Sequence, residues 1–273
     1  MKLIYKYREW KVPQKTILTN NCLWFPSVKT LRKIDPDELT NYVDFTKVPE
    51  EERIQYFVGV SERLNEGKSR AEIHQEAINM FVKEKASNWK TYNSMGEVYG
   101  KTFATKVGIC SFSSNYDIAQ QWENYAGNFF GICIGFDLEK LQKHFGRGHG
   151  GIIRYKQELD HPASTFNLIE DAFVTHCTKL NKYSDEEEHR YLLMDPSLSV
   201  DEEYQDKGEV LPEYVYNEII VGHKLLENDA AKTELFGILE KRFLHCEKFS
   251  TLITGNKILK VPIGSFSTLN SEP

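Results

Sequence analysis

The chain has 273 residues, 40% apolar and 12% aromatic, with a net charge of −6 and a pI near 5.8. That apolar content is enough for a packed core and excludes a disordered chain. The negative balance excludes a global electrostatic footprint for nucleic acid and leaves only a local basic patch open. Cys22, Cys110, Cys133, Cys177 and Cys246 are widely spaced with no Cys-x-x-Cys pair. No structural zinc site is therefore expected, and buried free thiols in a reducing compartment are. The opening "MKLIYKYREW" lacks the apolar centre of a signal peptide, and no run approaches the ~18 apolar residues of a membrane span. The expectation is a cytoplasmic protein without a membrane partner.

In chain order, "KLIYKYR" (Lys2–Arg8) is aromatic-rich and β-prone, and "CLWFPS" (Cys22–Ser27) predicts a second strand stopped by Pro26. "KIDPDELTNY" carries an Asp-Pro-Asp turn and acids suited to a helix start. Between Pro49 and about Tyr99 the composition becomes helical. One helix opens at Pro49 and closes near Gly67, and a second is capped by Ser69 with Ile73, Ala77, Ile78 and Phe81 at helical spacing.

"KVGICSFSS" (Lys106–Ser114) returns to strand composition. "YDIAQQWENYAGNF" predicts a short helix with Trp122 and Tyr125 on one face. "GICIGFD", "GIIRYKQ", "HRYLLM", "EIIVG" and "KILKVPIG" are further strands, and "NDAAKTELFGILEKRFL" is a helix capped at Asn228 or Asp229. Regular βαβ alternation is missing. The pattern predicts one α+β domain over residues 1–273, with antiparallel or mixed sheets around a cleft and a helical insertion near 49–99.

The glycine-dense "HFGRGHGG" (His144–Gly151) follows a helix and precedes a strand, the wrong order for a dinucleotide fingerprint. It reads as a loop, although His144, Arg147 and His149 allow an anion or metal site. In "YSDEEEHR", an extended chain from Glu186 onward puts Glu186, Glu188 and Arg190 on one face, its carboxylates about 7 Å apart. Such a pair can stabilise a cationic transition state and activate a nucleophile; the alternative is a solvated strand entry. Ser111 and Ser113 share a face of their strand, and their hydroxyls suit a ribose or an amide, or an edge-strand turn. Arg8 can clamp a phosphate or carboxylate, or make a structural ion pair.

Taken together, "YKYR", "LWF", "ICSFS", "WENYA", "GICIGFD", "IIVG" and a Lys-x3-aromatic-x2-Glu-x-Glu-x-Arg signature resemble the largely bacterial domain-of-unknown-function family numbered 2971. The signature here is Lys179, Tyr183, Glu186, Glu188 and Arg190. The family's Asn-Asp-Pro is replaced by Ile34-Asp35-Pro36, and its signature tryptophan by Tyr183. More weakly, the order Arg, Ser-aromatic-Ser, Glu-x-Glu resembles the Arg-Ser-Glu class of ADP-ribosyltransferases.

That second resemblance implies paired sheets around an NAD cleft, with NAD consumed as substrate. Arg8 would hold a phosphate, and Ser111 or Ser113 the nicotinamide ribose. Glu188 would stabilise the oxocarbenium ion, Glu186 would activate the acceptor, and Trp122 or Tyr125 would stack on nicotinamide. Lys179 and Arg190 complete the nucleotide-binding set. The acceptor would be a protein, a nucleic acid or water, and related bacterial proteins act as toxins or in anti-phage defence. The other readings are a non-catalytic sensor of a nucleotide or acidic ligand, held by Arg8, Lys179 and Arg190, and a metal-dependent nuclease using Asp35, Glu186 and Glu188. On the transferase reading Glu188→Gln, being nearly isosteric, is expected to abolish turnover and keep the fold.

Overall fold

The computed structural model describes residues 2–34, 46, 48–65, 67–91, 93–94, 104–146, 150–157, 177–195, 197–199 and 202–264. Its centre is an eight-stranded sheet. In chain order the strands are β1 (Leu3–Glu9), β3 (Val107–Ser113), β4 (Gly131–Asp137), β5 (Gly150–Ile152), β8 (Glu188–Met194), β10 (Tyr216–Val221), β11 (Glu247–Thr254) and β12 (Lys257–Pro262). Their spatial order is β12-β11-β10-β4-β1-β3-β8-β5, open at both edges among the described residues, with β10–β11 parallel and the other neighbours antiparallel. Two short ribbons, β2 (Cys22–Phe25) with β9 (Lys207–Val210) and β6 (Arg154–Lys156) with β7 (Thr178–Leu180), flank it. The architecture is α+β with a large mixed sheet, as the sequence predicts.

Alternation along the strands gives the sheet two apolar faces. Ile4, Ile132, Ile134, Phe136, Ile219 and Val221 join a large core with Leu235, Leu239 and Phe243 from the helix Asp229–Arg242 and its C-cap. Tyr5, Tyr7, Cys133 and Ile220 face the other way, against Trp122 and Phe129. Burying both faces explains why β4 is apolar at nearly every position. Gly131 and Gly222, the bounding glycines of "GICIGFD" and "EIIVG", are demanded by close backbone approach. A Cβ on Gly131 would lie 2.4 Å from the Arg8 carbonyl oxygen, and one on Gly222 2.1 Å from that of Phe129.

The inserted helices form as their caps dictate. Glu50–Leu64 follows Pro49 with three glutamates in its first turn, and Arg70–Ala86 starts from a Ser69–Glu72 capping box. They pack on each other around Val48, Phe57, Ala77, Phe81 and Trp89. The part of the predicted insertion at 95–99 lies outside the described residues, as does the Asp35-Pro36 turn. Asn228, rather than Asp229, caps the last long helix. "GIIRYKQ" is not one strand: it is interrupted at Ile153, whose N–H turns to the Glu188 carbonyl.

The feature that positions the site is a gap in the sheet. β1 pairs with β4 through all seven residues but with β3 only at Tyr5↔Ser113. Beyond that bridge β1 and β3 part. Where β1 would have continued, the chain after β2 takes its place, through a Ser27↔Gly108 bridge and a 2.9 Å bond from Ile109 N–H to the Pro26 carbonyl. Asp206 fixes this wedge by accepting from the Ser27 amide and hydroxyl and from Thr30.

Candidate functional site

The gap between β1 and β3 opens into a cavity of about 500 Å³. With its β3 neighbour withdrawn, β1 contributes four consecutive residues, Tyr5, Lys6, Tyr7 and Arg8, instead of alternate ones. β3 supplies Ser111 and Ser113, the β7 side supplies Lys179, and β8 supplies Glu188 and Arg190. Gln121 and Tyr125 come from the helix Ala119–Tyr125, and Trp24 from β2.

The Lys-x3-Tyr-x2-Glu-x-Glu-x-Arg spacing has a physical reading. Lys179 ends up between two carboxylates, its Nζ 2.8 Å from Glu186 Oε2 and 2.8 Å from Glu188 Oε2, and it lies over the Tyr183 ring. Arg190 Nε donates to Glu188 Oε1 at 2.6 Å. The five members thus form one charge network. The route to it differs from the extended segment expected from the sequence. Residues Asn181–Glu186 form a 3₁₀ turn, Glu187 is left-handed at φ 44°, and the strand starts only at Glu188. Glu186 reaches the cavity from that turn, and Glu188 and Arg190 reach it by strand alternation. Asp185 and Glu187 are exposed, and Glu187 accepts from Asn115. The backbone at the turn is held by the Glu188 N–H donating to Tyr155 Oη and by the Ser114 N–H donating to the Glu187 carbonyl.

Glu188 is buried, and burial alone would raise its pKa. Arg190 and then Lys179 outweigh that and hold it at about 2. Lys6 is also buried: loss of solvent, and then the neighbouring Arg8, pull it down to about 8. Its ammonium donates to the Ser111 carbonyl and lies over the Phe112 ring. Arg8 is lowered by burial too, and its guanidinium donates to the carbonyl of Tyr7. The cavity therefore holds four cations and two carboxylates, a local positive surplus on a chain of net charge −6.

The two serines separate. Ser113 is buried, donates to the Glu186 carbonyl and accepts from the Asn115 N–H, so it fastens the 3₁₀ turn. Ser111 is half-buried and lines the cavity. Trp122 is corrected: it is fully buried, stacked on Phe129, edge-on to Tyr7, with Nε1 donating to the Tyr116 carbonyl. Residues 121 and 125, four apart, face the cavity, whereas 122 and 126 face the core. Tyr125 is 49% exposed.

Lys6, Trp24 and Gln121 also line the cavity, and the sequence reading does not include them. Only Lys6 had a signal, its i, i+2 spacing to Arg8 within "YKYR". Arg147 and His149 lie outside the described residues, as does Asp35. Among the described residues no group of three or more His, Cys, Asp or Glu side chains is placed to hold a metal ion, and no helix is long and apolar enough to cross a membrane.

Fold and site define an α+β protein with a cation-rich cleft at a split in its main sheet. Residues 121–191 match the sequence model of a family described as "Protein of unknown function (DUF2971)". The match covers the Lys179–Arg190 network but not Lys6, Arg8, Trp24 or the two serines. No curated protein and no solved structure matches the chain. Nothing in these comparisons points to ADP-ribosyltransferases.

Proposed function

We propose that the cleft carries out glycosyl transfer from NAD, passing ADP-ribose to a macromolecule or, with water as acceptor, hydrolysing NAD. The observation that carries this reading is that Arg8, Ser111, Glu186 and Glu188, drawn from three distant stretches of chain, line one cavity. In this reading Arg8 holds a phosphate and the Ser111 hydroxyl the nicotinamide ribose. The C1′–N bond breaks with its electron pair leaving on nicotinamide. Glu188, kept ionised by its two cations, stabilises the positive charge that develops on the ribose. The acceptor's lone pair then closes on C1′ and its proton passes to Glu186, the more open carboxylate of the two. Tyr125 offers an exposed ring to nicotinamide. A role as a bacterial toxin or defence effector rests on the family resemblance alone.

A second reading, a non-catalytic sensor of a nucleotide or acidic ligand, is favoured by one observation. Both Glu188 oxygens are already taken, by Arg190 and Lys179. Nicotinamide release, followed with NAD binding, tests both. Release by the wild type and its loss in Glu186→Gln and Glu188→Gln, with folding checked separately, is the expected result. A chain that binds NAD and releases no nicotinamide overturns the transfer reading in favour of the sensor.

A further inference from the structure

The cations of the cleft fall into two classes. Lys179 and Arg190 are neutralised by Glu186 and Glu188. Lys6 and Arg8 are different: their hydrogen bonds go to the carbonyls of Ser111 and Tyr7, and neither is paired with a carboxylate among the described residues. Two buried or half-buried cations whose hydrogen bonds go to neutral carbonyls leave a site for two negative charges.

The cavity also holds an aromatic surface that the transfer mechanism does not use. Of four tryptophans, Trp10, Trp89 and Trp122 are 7%, 4% and 0% exposed, whereas Trp24 is 48% exposed and lines the cavity. Its neighbours on β2, Leu23 and Phe25, turn inward to the core. Across the ribbon Trp24 is paired with Gly208, which has no side chain to cover the indole. A Cβ there would lie 2.2 Å from Cys22 Sγ and 3.5 Å from the Trp24 ring. An open indole and two cations with no carboxylate in ion-pair contact among the described residues, in one cavity of about 500 Å³, suit a ligand with an aromatic base and a doubly charged phosphate group.

We propose that the cleft takes a nucleoside diphosphate moiety, its base seated on Trp24 and its two phosphate charges held by Lys6 and Arg8. This rests on the reading of the cleft as a nucleotide site, but not on turnover. Trp24 is a specificity-determining residue in this arrangement, since inorganic pyrophosphate would satisfy Lys6 and Arg8 without touching it.

The test titrates the full chain with ADP, inorganic pyrophosphate and adenosine, by calorimetry and by tryptophan emission. ADP is expected to change the emission of the one exposed indole and to shield it from acrylamide, and pyrophosphate is not. Trp24→Leu should weaken ADP by roughly 10- to 100-fold and leave pyrophosphate within about twofold, while Trp24→Phe retains most of the ADP affinity. Lys6→Gln should weaken ADP and pyrophosphate alike. Trp24 is 48% exposed, and circular dichroism is the check that its variants fold.

Three results overturn the proposal: wild-type ADP affinity no greater than that for pyrophosphate, a Trp24→Leu variant that binds ADP normally, or no binding of either anion. NAD turnover is a separate readout. A chain that binds ADP through Trp24 yet leaves NAD intact keeps this inference and loses the transfer reading. A chain that releases nicotinamide with Trp24 irrelevant to ADP does the reverse.

Discussion

Glu188 and Arg190, two residues apart on β8, are joined by a 2.6 Å bond from Nε to Oε1, with side chains 4% and 2% exposed. A buried pair of this kind is costly to break from one side, because the remaining charge is out of water and has lost its counter-charge. Glu188→Gln, isosteric as it is, therefore does more than remove a reactive carboxylate, contrary to the expectation from shape alone. It takes from Arg190 the carboxylate that balances its charge and is expected to cost about 3–5 kcal/mol. The double variant Glu188→Gln/Arg190→Gln should be less destabilised than the sum of the two singles, as read by urea denaturation. Additive losses would show that the pair is not coupled in solution.

The same carboxylate fixes a pH dependence. Its folded pKa, about 2, lies below the ordinary 4.5, so the unfolded chain takes up the proton first as pH falls. The stabilisation is complete above about pH 4.5 and is lost toward pH 2, on the order of 3 kcal/mol in all. Exposed carboxylates contribute to the same acid limb, so the comparison that isolates Glu188 is with Glu188→Gln. That variant should start less stable and fall less steeply over this range. Equal slopes would remove Glu188 as the source.

How much of this was legible in the sequence depended on range. The Ser69 and Asn228 caps, the strand in "KLIYKYR" and the helical stretch after Pro49 were visible because a cap or an alternation lies within a few residues. The ribbons β2–β9 and β6–β7 include strands of three or four residues with half-exposed patterns, too short to show a period. β11 pairs in parallel with β10, and its largely exposed or half-exposed face gave no apolar signal. The residues around Glu186 were grouped correctly for the wrong reason. Left-handed Glu187 breaks the extended segment, and the Lys179 bridge brings Glu186 and Glu188 together. Spacing alone puts Trp122 and Tyr125 on one face, but the packing of Trp122 against Phe129 and Tyr7 sets the rotation of that helix. The gap between β1 and β3 is a non-local fact, and with it the exposure of Trp24 and the inclusion of Lys6.

Ser111 and Ser113 make opposite predictions. Removing the Ser113 hydroxyl loses its bond to the Glu186 carbonyl and leaves the Asn115 N–H without its acceptor, so Ser113→Ala should cost about 1 kcal/mol of stability. Ser111 meets Lys6 through its backbone carbonyl rather than its hydroxyl. Ser111→Ala should therefore leave stability within about 0.5 kcal/mol while lowering ligand affinity or nicotinamide release. Thermal melts beside NAD titrations separate the two, and a Ser111→Ala variant with normal affinity and turnover takes that hydroxyl out of the site.

Lys6 sets the alkaline limit of the cleft. Burial and then Arg8 hold its ammonium at about 8, against a smaller upward pull from Cys110 and Glu188, with the Ser111 carbonyl and the Phe112 ring as its other close neighbours. Because the folded value lies below the ordinary 10.5, the folded chain releases this proton first as pH rises. The chain therefore gains stability as pH rises from about 8 to 10.5, over which the unfolded chain still holds the proton, and keeps that gain above it. Ligand binding runs the other way. An anion beside Lys6 favours the charged form, so affinity is expected to be greatest below about pH 8 and to decline above it, with proton uptake on binding near that pH. Calorimetry of ADP binding in buffers of different ionisation enthalpy measures that uptake directly. Lys6→Arg should keep the affinity and move its decline to higher pH, and Lys6→Met should be weak and free of this step. A wild-type affinity that is level from about pH 7 to 9, with no proton uptake, would remove Lys6 from the anion's immediate surroundings.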